Sequence, residues 1–272
     1  MRFDLLTYLV PFAVGTMLFL PPTLFGEDRS KMVEPLVHAH AHNDYEHDRP
    51  LLDALEQGFT NIEADIFLIE DEILVAHNLV DVSKERTLEK LYLQPLHRLV
   101  QKNGGRVYPD GPSVTLLIDF KLNGAATYRV LVPLLQKYAD MISRTTDEQF
   151  AENAVTVIVS GDRPIKEIAA SNPRFVGIDG RLSDLVSDES PSMLPLISDN
   201  WTKHFTYLGE GEFSSEERKK LNEIISKAHS KNRRVRFWAT PESELLWKEL
   251  RAADVDLIGT DDLSRLAKFL RD

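Results

Sequence analysis

The sequence predicts an α/β fold, a single closed (β/α)8 (TIM) barrel. Three observations carry this. Eight short apolar, β-branched runs alternate with amphipathic stretches of helical period, the pattern of parallel strands joined by helical crossovers. No long linker interrupts the alternation, and 272 residues suit one barrel of this kind. No glycine-rich phosphate loop follows the first strand, which an open doubly wound sheet, the alternative, would favour.

Taken in order, strands are expected at Leu36–His42, Asn61–Phe67, Val114–Phe120, Ala154–Ser160, Arg174–Ile178, Leu196–Asp199, Val235–Ala239 and Leu257–Thr260. Helical patterns run over Pro50–Gln57, Ala125–Ala139, Ser214–Ser230 and Glu242–Ala252. Ser214 followed by Glu216 and Glu217 signals a helix start, and Thr260-Asp261-Asp262 opens the last helix in the same way. The Pro/Ser/Asp-rich stretch Leu182–Pro195 reads as an irregular loop. Ahead of the barrel domain, assigned to residues 33–272, the segment of residues 1–26 is uncharged from Leu5 to Gly26 and strongly apolar. It reads as an export signal or an N-terminal membrane anchor, which predicts a periplasmic or extracellular protein with possible membrane association.

Composition removes several function classes. The formal net charge is −11 and no Lys/Arg-rich run occurs, which argues against a nucleic-acid partner. There is no cysteine, so disulfides, thiolate nucleophiles and Cys-zinc sites are excluded.

In a barrel of this kind the reacting groups stand where strands end and βα loops begin. Several polar clusters fall there. In His38-Ala39-His40-Ala41-His42-Asn43-Asp44 the three histidines share one strand face, with His42 nearest the carboxyl end. Such a row serves either packing or chemistry. Glu63 and Asp65 share a face of a strand expected to be buried. Burying two carboxylates together costs several kcal/mol unless a cation compensates, either a hard divalent ion or a basic side chain. Asp119 and Lys121 again share a face; they could complete a metal shell and neutralise a phosphate, or simply pair. His77 closes the apolar run Leu74-Val75-Ala76, and two histidines flanking a phosphorus centre suit general acid/base displacement. Trp238 falls near a strand end, where an indole lines a pocket or plugs a core.

Together these clusters resemble the glycerophosphodiester phosphodiesterase-like superfamily of phospholipase C-type barrels, in the branch related to altered inheritance of mitochondria protein 6. The resemblance covers the chain from about residue 36 onward. It rests on His42-Asn43-Asp44-Tyr45, Arg49-Pro50-Leu51-Leu52-Asp53-Ala54-Leu55 with Gly58, Glu63-x-Asp65, His77, Asp119-x-Lys121, Arg236-Phe237-Trp238-Ala239-Thr240-Pro241 and Asp256-Leu257-Ile258-Gly259-Thr260-Asp261-Asp262. It implies a metal-dependent phosphoric diester hydrolase acting on a glycerophosphodiester or phospholipid-type substrate. By the same resemblance His42 and His77 are the catalytic pair. Glu63, Asp65 and Asp119 bind Mg²⁺ or Ca²⁺, and Lys121, Asn43 and Trp238 contact substrate. The His-Arg-Gly opening of the better-known diesterases reads His42-Asn43-Asp44 here. Two other classes also fit parts of the pattern. A His-x-His first strand occurs in metallohydrolases of the amidohydrolase and polymerase-and-histidinol-phosphatase types, which need further histidines from later strands. A degenerate barrel serving as an exported binding module is the non-enzymatic alternative.

Overall fold

The computed structural model describes residues 33–272, and the apolar segment assigned as a leader lies outside the described residues. Its strands are β1 (Leu36–Ala41), β2 (Phe59–Ile69), β3 (Glu72–Val75), β4 (Val114–Phe120), β5 (Arg144–Thr146) and β6 (Gln149–Ala151). They continue with β7 (Val155–Gly161), β8 (Val176–Gly180), β9 (Leu196–Asn200), β10 (Arg234–Trp238) and β11 (Leu257–Thr260). Eight of them pair in parallel in the order β1-β2-β4-β7-β8-β9-β10-β11, and β11 returns to β1. The sheet therefore closes into the (β/α)8 barrel that the alternation predicts.

The outer faces of the strands pack against helices such as α1 (Leu52–Glu56), α2 (Gln94–Lys102) and α3 (Gly124–Gln136). The wall of helices continues with α4 (Ile165–Ala169), α5 (Trp201–His204), α6 (Ser215–His229), α7 (Glu244–Ala252) and α8 (Leu263–Arg271). Two helix starts are capped as the sequence signals: Ser214 accepts from the Glu217 N–H, and Asp262 from the Arg265 N–H. Inside the barrel, Leu117, Ile158, Leu196 and Leu257 form a small apolar plug. A polar group lies beyond it toward the strands' carboxyl ends. There His40, Glu63, Ser160, Asp179, Ser198 and Arg236 are all buried. Ionised groups so far from water persist only when paired, and these are.

Four features escape the sequence pattern. β3 runs antiparallel to the outer half of β2, through a two-residue turn at Glu70 and Asp71 with φ of 48° and 65°. Both central residues being left-handed is the requirement of a type I′ hairpin, whose twist matches the strands it joins. β5 and β6 form a separate small hairpin, and α2 adds a helix between β3 and β4. The strand expected at Arg174–Ile178 is displaced, because β8 spans Val176–Gly180 and Arg174 instead bonds the Val176 and Ser192 carbonyls.

Candidate active site

His42 immediately follows β1, and its N–H donates to the Thr260 carbonyl at the end of β11 at 3.1 Å. That bond sets His42 beside the next residue along, Asp261. The His42 Nδ1 stands 2.8 Å from Asp261 Oδ1. With Nδ1–H donating a hydrogen bond to the carboxylate, Nε2 keeps its lone pair for chemistry. Burial alone would lower the His42 pKa. The bond to Asp261 and the charge of Glu63 outweigh it and raise the pKa above 6.5.

His77 arrives by a different route. The β2–β3 hairpin folds back so that the Ala76 N–H donates to the Asp65 carbonyl at 3.2 Å, which lands His77 next to the Asp65 side chain. Its Nδ1 is 3.2 Å from Asp65 Oδ2 and 3.0 Å from the Tyr45 hydroxyl. Asp65 and the Tyr45 hydroxyl therefore hold Nδ1 of the second histidine much as Asp261 holds the first. The side chains of His42 and His77 are 38% and 50% exposed, so a ligand at the mouth can reach both.

Tyr45 joins the two halves. Its hydroxyl lies 2.6 Å from both Asp65 Oδ2 and Asn43 Oδ1. Burial and the Asp65 carboxylate raise its pKa, which keeps the phenol protonated as a donor. Asn43 takes the left-handed conformation, φ 47°, which asparagine tolerates better than most residues. This turns the chain after β1 so that Tyr45 comes back over the end of β2.

Asp65 and Asp119 are in direct register on β2 and β4. Lys121 bridges them, 2.6 Å from Asp65 Oδ2 and 2.9 Å from Asp119 Oδ2. Burial opposes the Lys121 ammonium, but Asp119 and Asp65 raise its pKa, so it stays charged. Burial and the nearby Glu63 raise the Asp65 pKa. Deeper in the barrel, Glu63 Oε2 accepts from His40 Nε2 at 2.8 Å and from Arg236. Burial would push the Glu63 carboxyl up, yet the Arg236 guanidinium and His40 hold it well below its ordinary value. Burial and Arg236 depress His40 to about 4, so it is a neutral donor at pH 7. Trp238 ends β10 at the same rim and is half-buried.

The sequence-derived site residues therefore gather at one end of the barrel. Among the described residues no three acidic or histidine side chains are arranged, as they stand, to hold one ion. The donor set nonetheless fits a hard divalent cation in kind. Asp65 Oδ1 is buried without a partner, and the bonds of Glu63 and Asp119 to cations fall on one oxygen each. Sequence reasoning missed Tyr45, Asp261 and Arg236 as working parts of the site. Asp261 was hidden inside a helix-start signal that in fact belongs to Asp262. Of the later histidines among the described residues, His204 pairs with Asp199 at the end of β9, and His229 bonds Asp256 at the opposite end of the barrel.

The fold and this mouth define a phosphodiesterase-type barrel. The model of the AIM6-like phosphodiesterase domain matches residues 27–179, more than half of the chain, and that of the glycerophosphoryl diester phosphodiesterase family matches residues 234–264. The chain belongs to the AIM6-like phosphodiesterase domain family. It is 30% identical to the altered inheritance of mitochondria protein 6 homolog of Arthroderma benhamiae, over 84% of this chain and 82% of that protein. It is 32% identical to altered inheritance of mitochondria protein 6 of Eremothecium gossypii, over 87% and 70% respectively. Those names describe inheritance and state no reaction. The crystal structure of a glycerophosphodiester phosphodiesterase from Agrobacterium tumefaciens superposes with a TM-score of 0.52 at 14% identity, covering 87% of this chain and all of that one. One from Parabacteroides distasonis gives 0.51 at 13% identity, covering 88% of this chain and 98% of that one. Both likenesses concern the fold.

Proposed function

We propose that the protein hydrolyses a phosphodiester of the glycerophosphodiester or phospholipid type by histidine acid/base catalysis at this mouth. One observation carries the reading. Two accessible histidines, each held through Nδ1 beside a carboxylate, present Nε2 at a mouth that also bears Lys121. Displacement at phosphorus needs one group to take a proton and another to give one, on opposite sides of the phosphate.

His42 is the better base, because Asp261 accepts a hydrogen bond from its Nδ1–H and stabilises the imidazolium that forms. Its Nε2 takes a proton from water or from a hydroxyl of the substrate. The freed oxygen attacks phosphorus, and the P–O bond to the leaving alcohol breaks. His77, as imidazolium, gives its Nε2 proton to that alcohol, while Asp65 and Tyr45 keep the ring in place. Lys121 offers an ammonium to the phosphate oxygens. Glu63, Asp65 and Asp119 would hold Mg²⁺ or Ca²⁺, which when bound supplies positive charge that offsets the charge developing on the phosphate. Arg236 and His40 keep Glu63 ionised and in place. Trp238 and Asn43 are assigned to the substrate side of the pocket.

Turnover of bis(4-nitrophenyl) phosphate with added Mg²⁺ or Ca²⁺ tests the reading. The expected result is release of nitrophenolate that stops on chelation with EDTA. Absence of hydrolysis of this and of glycerophosphodiesters, with either metal, overturns it.

A further inference from the structure

The β7–β8 side of the mouth carries two guanidinium groups that the acid/base scheme does not use. Arg163 lies two residues past the end of β7, and Arg181 directly follows β8. Both turn back over the barrel and converge on one acceptor. Arg163 Nη1 donates to the Asp179 carbonyl, and Arg181 Nη1 lies 3.2 Å from the same oxygen. Arg181 Nη1 also lies 3.1 Å from Asp179 Oδ2, 3.0 Å from the Gly180 carbonyl and 3.5 Å from Ser198 Oγ. Asp179 and Ser198 are buried side chains of the barrel interior, so the Arg181 head lies over the barrel axis and not on the outer wall.

Two like charges gathered at one carbonyl repel each other. Burial, and then the neighbouring Arg181, lower the Arg163 pKa. One carboxylate serves both: Asp179 Oδ2 pairs with Arg181 at 3.1 Å and also accepts from Ser160 at 2.8 Å and from Ser198 at 2.6 Å, so it offsets one of the two guanidinium charges. In both arginines only Nη1 is used for these anchoring bonds, and Arg163 Nε is buried without a partner. Two guanidiniums fixed by one nitrogen each, with the rest of each fork uncommitted, form a receptor for a planar or tetrahedral oxyanion. Lys121 and the histidines belong to the β1, β2 and β4 side. β8 stands opposite β1, four positions away in either direction round the closed sheet, so Arg181 enters the mouth from the side across from His42, while Arg163 follows β7, the neighbour of β4. An anion held by the Arg181 fork therefore faces the histidines across the mouth.

We propose that Arg163 and Arg181 form a second anion subsite, which binds a phosphate or carboxylate that the substrate carries beyond its scissile diester. The proposal rests on the phosphodiesterase reading and narrows it to diesters with two anionic groups. Neither arginine takes part in the proton transfers.

Two measurements on the full chain test it. The first uses inorganic phosphate as the probe in calorimetry, independent of turnover. Arg163→Gln/Arg181→Gln should weaken phosphate binding at least tenfold, with circular dichroism and the melting transition checking that the variant folds. The second compares a 4-nitrophenyl alkyl phosphodiester with the same diester bearing a terminal phosphate or carboxylate. The wild-type protein should show a KM at least tenfold lower for the doubly charged diester, a comparison that needs no variant. The double variant should lose that preference with little change in kcat, and should treat the singly charged diester as the wild type does. Equal wild-type KM values for the two diesters overturn the proposal, as does an equal loss on both in the variant, which would place the arginines on the scissile phosphate. If neither diester is hydrolysed, the phosphodiesterase reading fails and calorimetry alone judges the subsite: arginine-dependent phosphate binding supports it, and unchanged binding overturns it.

Discussion

At the scale of single residues, the barrel mouth is a set of buried charges that survive by sharing protons. Asp65 is the hub, holding Lys121, Tyr45 and His77 on one oxygen and leaving the other unpartnered. If that free oxygen is a metal ligand, Asp65→Asn should lose Mg²⁺ or Ca²⁺ affinity and activity together. Unchanged calorimetric binding of both ions would remove Asp65 from the ligand set. Asp44 gives an independent test of the electrostatics. Its Oδ2 accepts from the Leu51 N–H at 2.6 Å and the Tyr92 hydroxyl at 2.9 Å, but burial still raises its pKa from 3.8 to about 6. The folded state therefore keeps a proton that the unfolded chain has already released. Its stabilising contribution is complete below about pH 4 and is lost as pH rises through about 6, an effect of roughly 3 kcal/mol. Asp44→Asn should flatten that fall in a series of urea midpoints from pH 4 to 7. A wild-type-like fall in the variant contradicts the assignment. At this scale the sequence reveals residue types but not partners. The pairing of Glu63 with Asp65 on one face is visible, yet Glu63 turns to Arg236, 173 positions away, and Asp65 to Lys121 and Tyr45. Only closure of the barrel brings those groups together.

At the scale of elements, the strand alternation is legible because parallel barrel strands are short, apolar and separated by amphipathic helices. β4 and β11 match their expected limits residue for residue, and the ends of the other barrel strands lie within two residues of theirs. The β2–β3 hairpin is not legible, because its turn is Glu70-Asp71 and not the Asn-Gly or Asp-Gly that such turns favour. That hairpin is what delivers His77 to Asp65, so turn chemistry and catalysis are coupled. Asp71→Gly relieves a left-handed backbone at φ 65° and should raise stability by about 1 kcal/mol with turnover unchanged. Asp71→Pro forces φ to about −65°, which breaks the turn and should cut turnover more than it lowers the melting temperature of the barrel. Normal kcat in the proline variant would mean that His77 is positioned by something other than the hairpin.

At the scale of the whole molecule, one closed sheet gathers side chains from β1, β2, β4, β10 and β11 at a single rim, with His77 added by the hairpin. Among the described residues no helix is long and apolar enough to cross a membrane. Export is therefore a proposal that rests on the uncharged segment of residues 1–26, and fractionation that finds the intact chain soluble in the cytoplasm contradicts it. The central claim is that both histidines act at this rim as a proton donor and acceptor pair. It is tested most directly by the turnover of His42→Ala and His77→Ala on one metal-supplemented diester series with leaving groups from nitrophenol to a simple alcohol. Each variant should lose about 10²–10⁴-fold on the alkyl diester. The nitrophenyl diester, whose leaving group needs no proton, should largely rescue His77→Ala and leave His42→Ala impaired. Near-wild-type turnover of the alkyl diester by both variants would contradict the account.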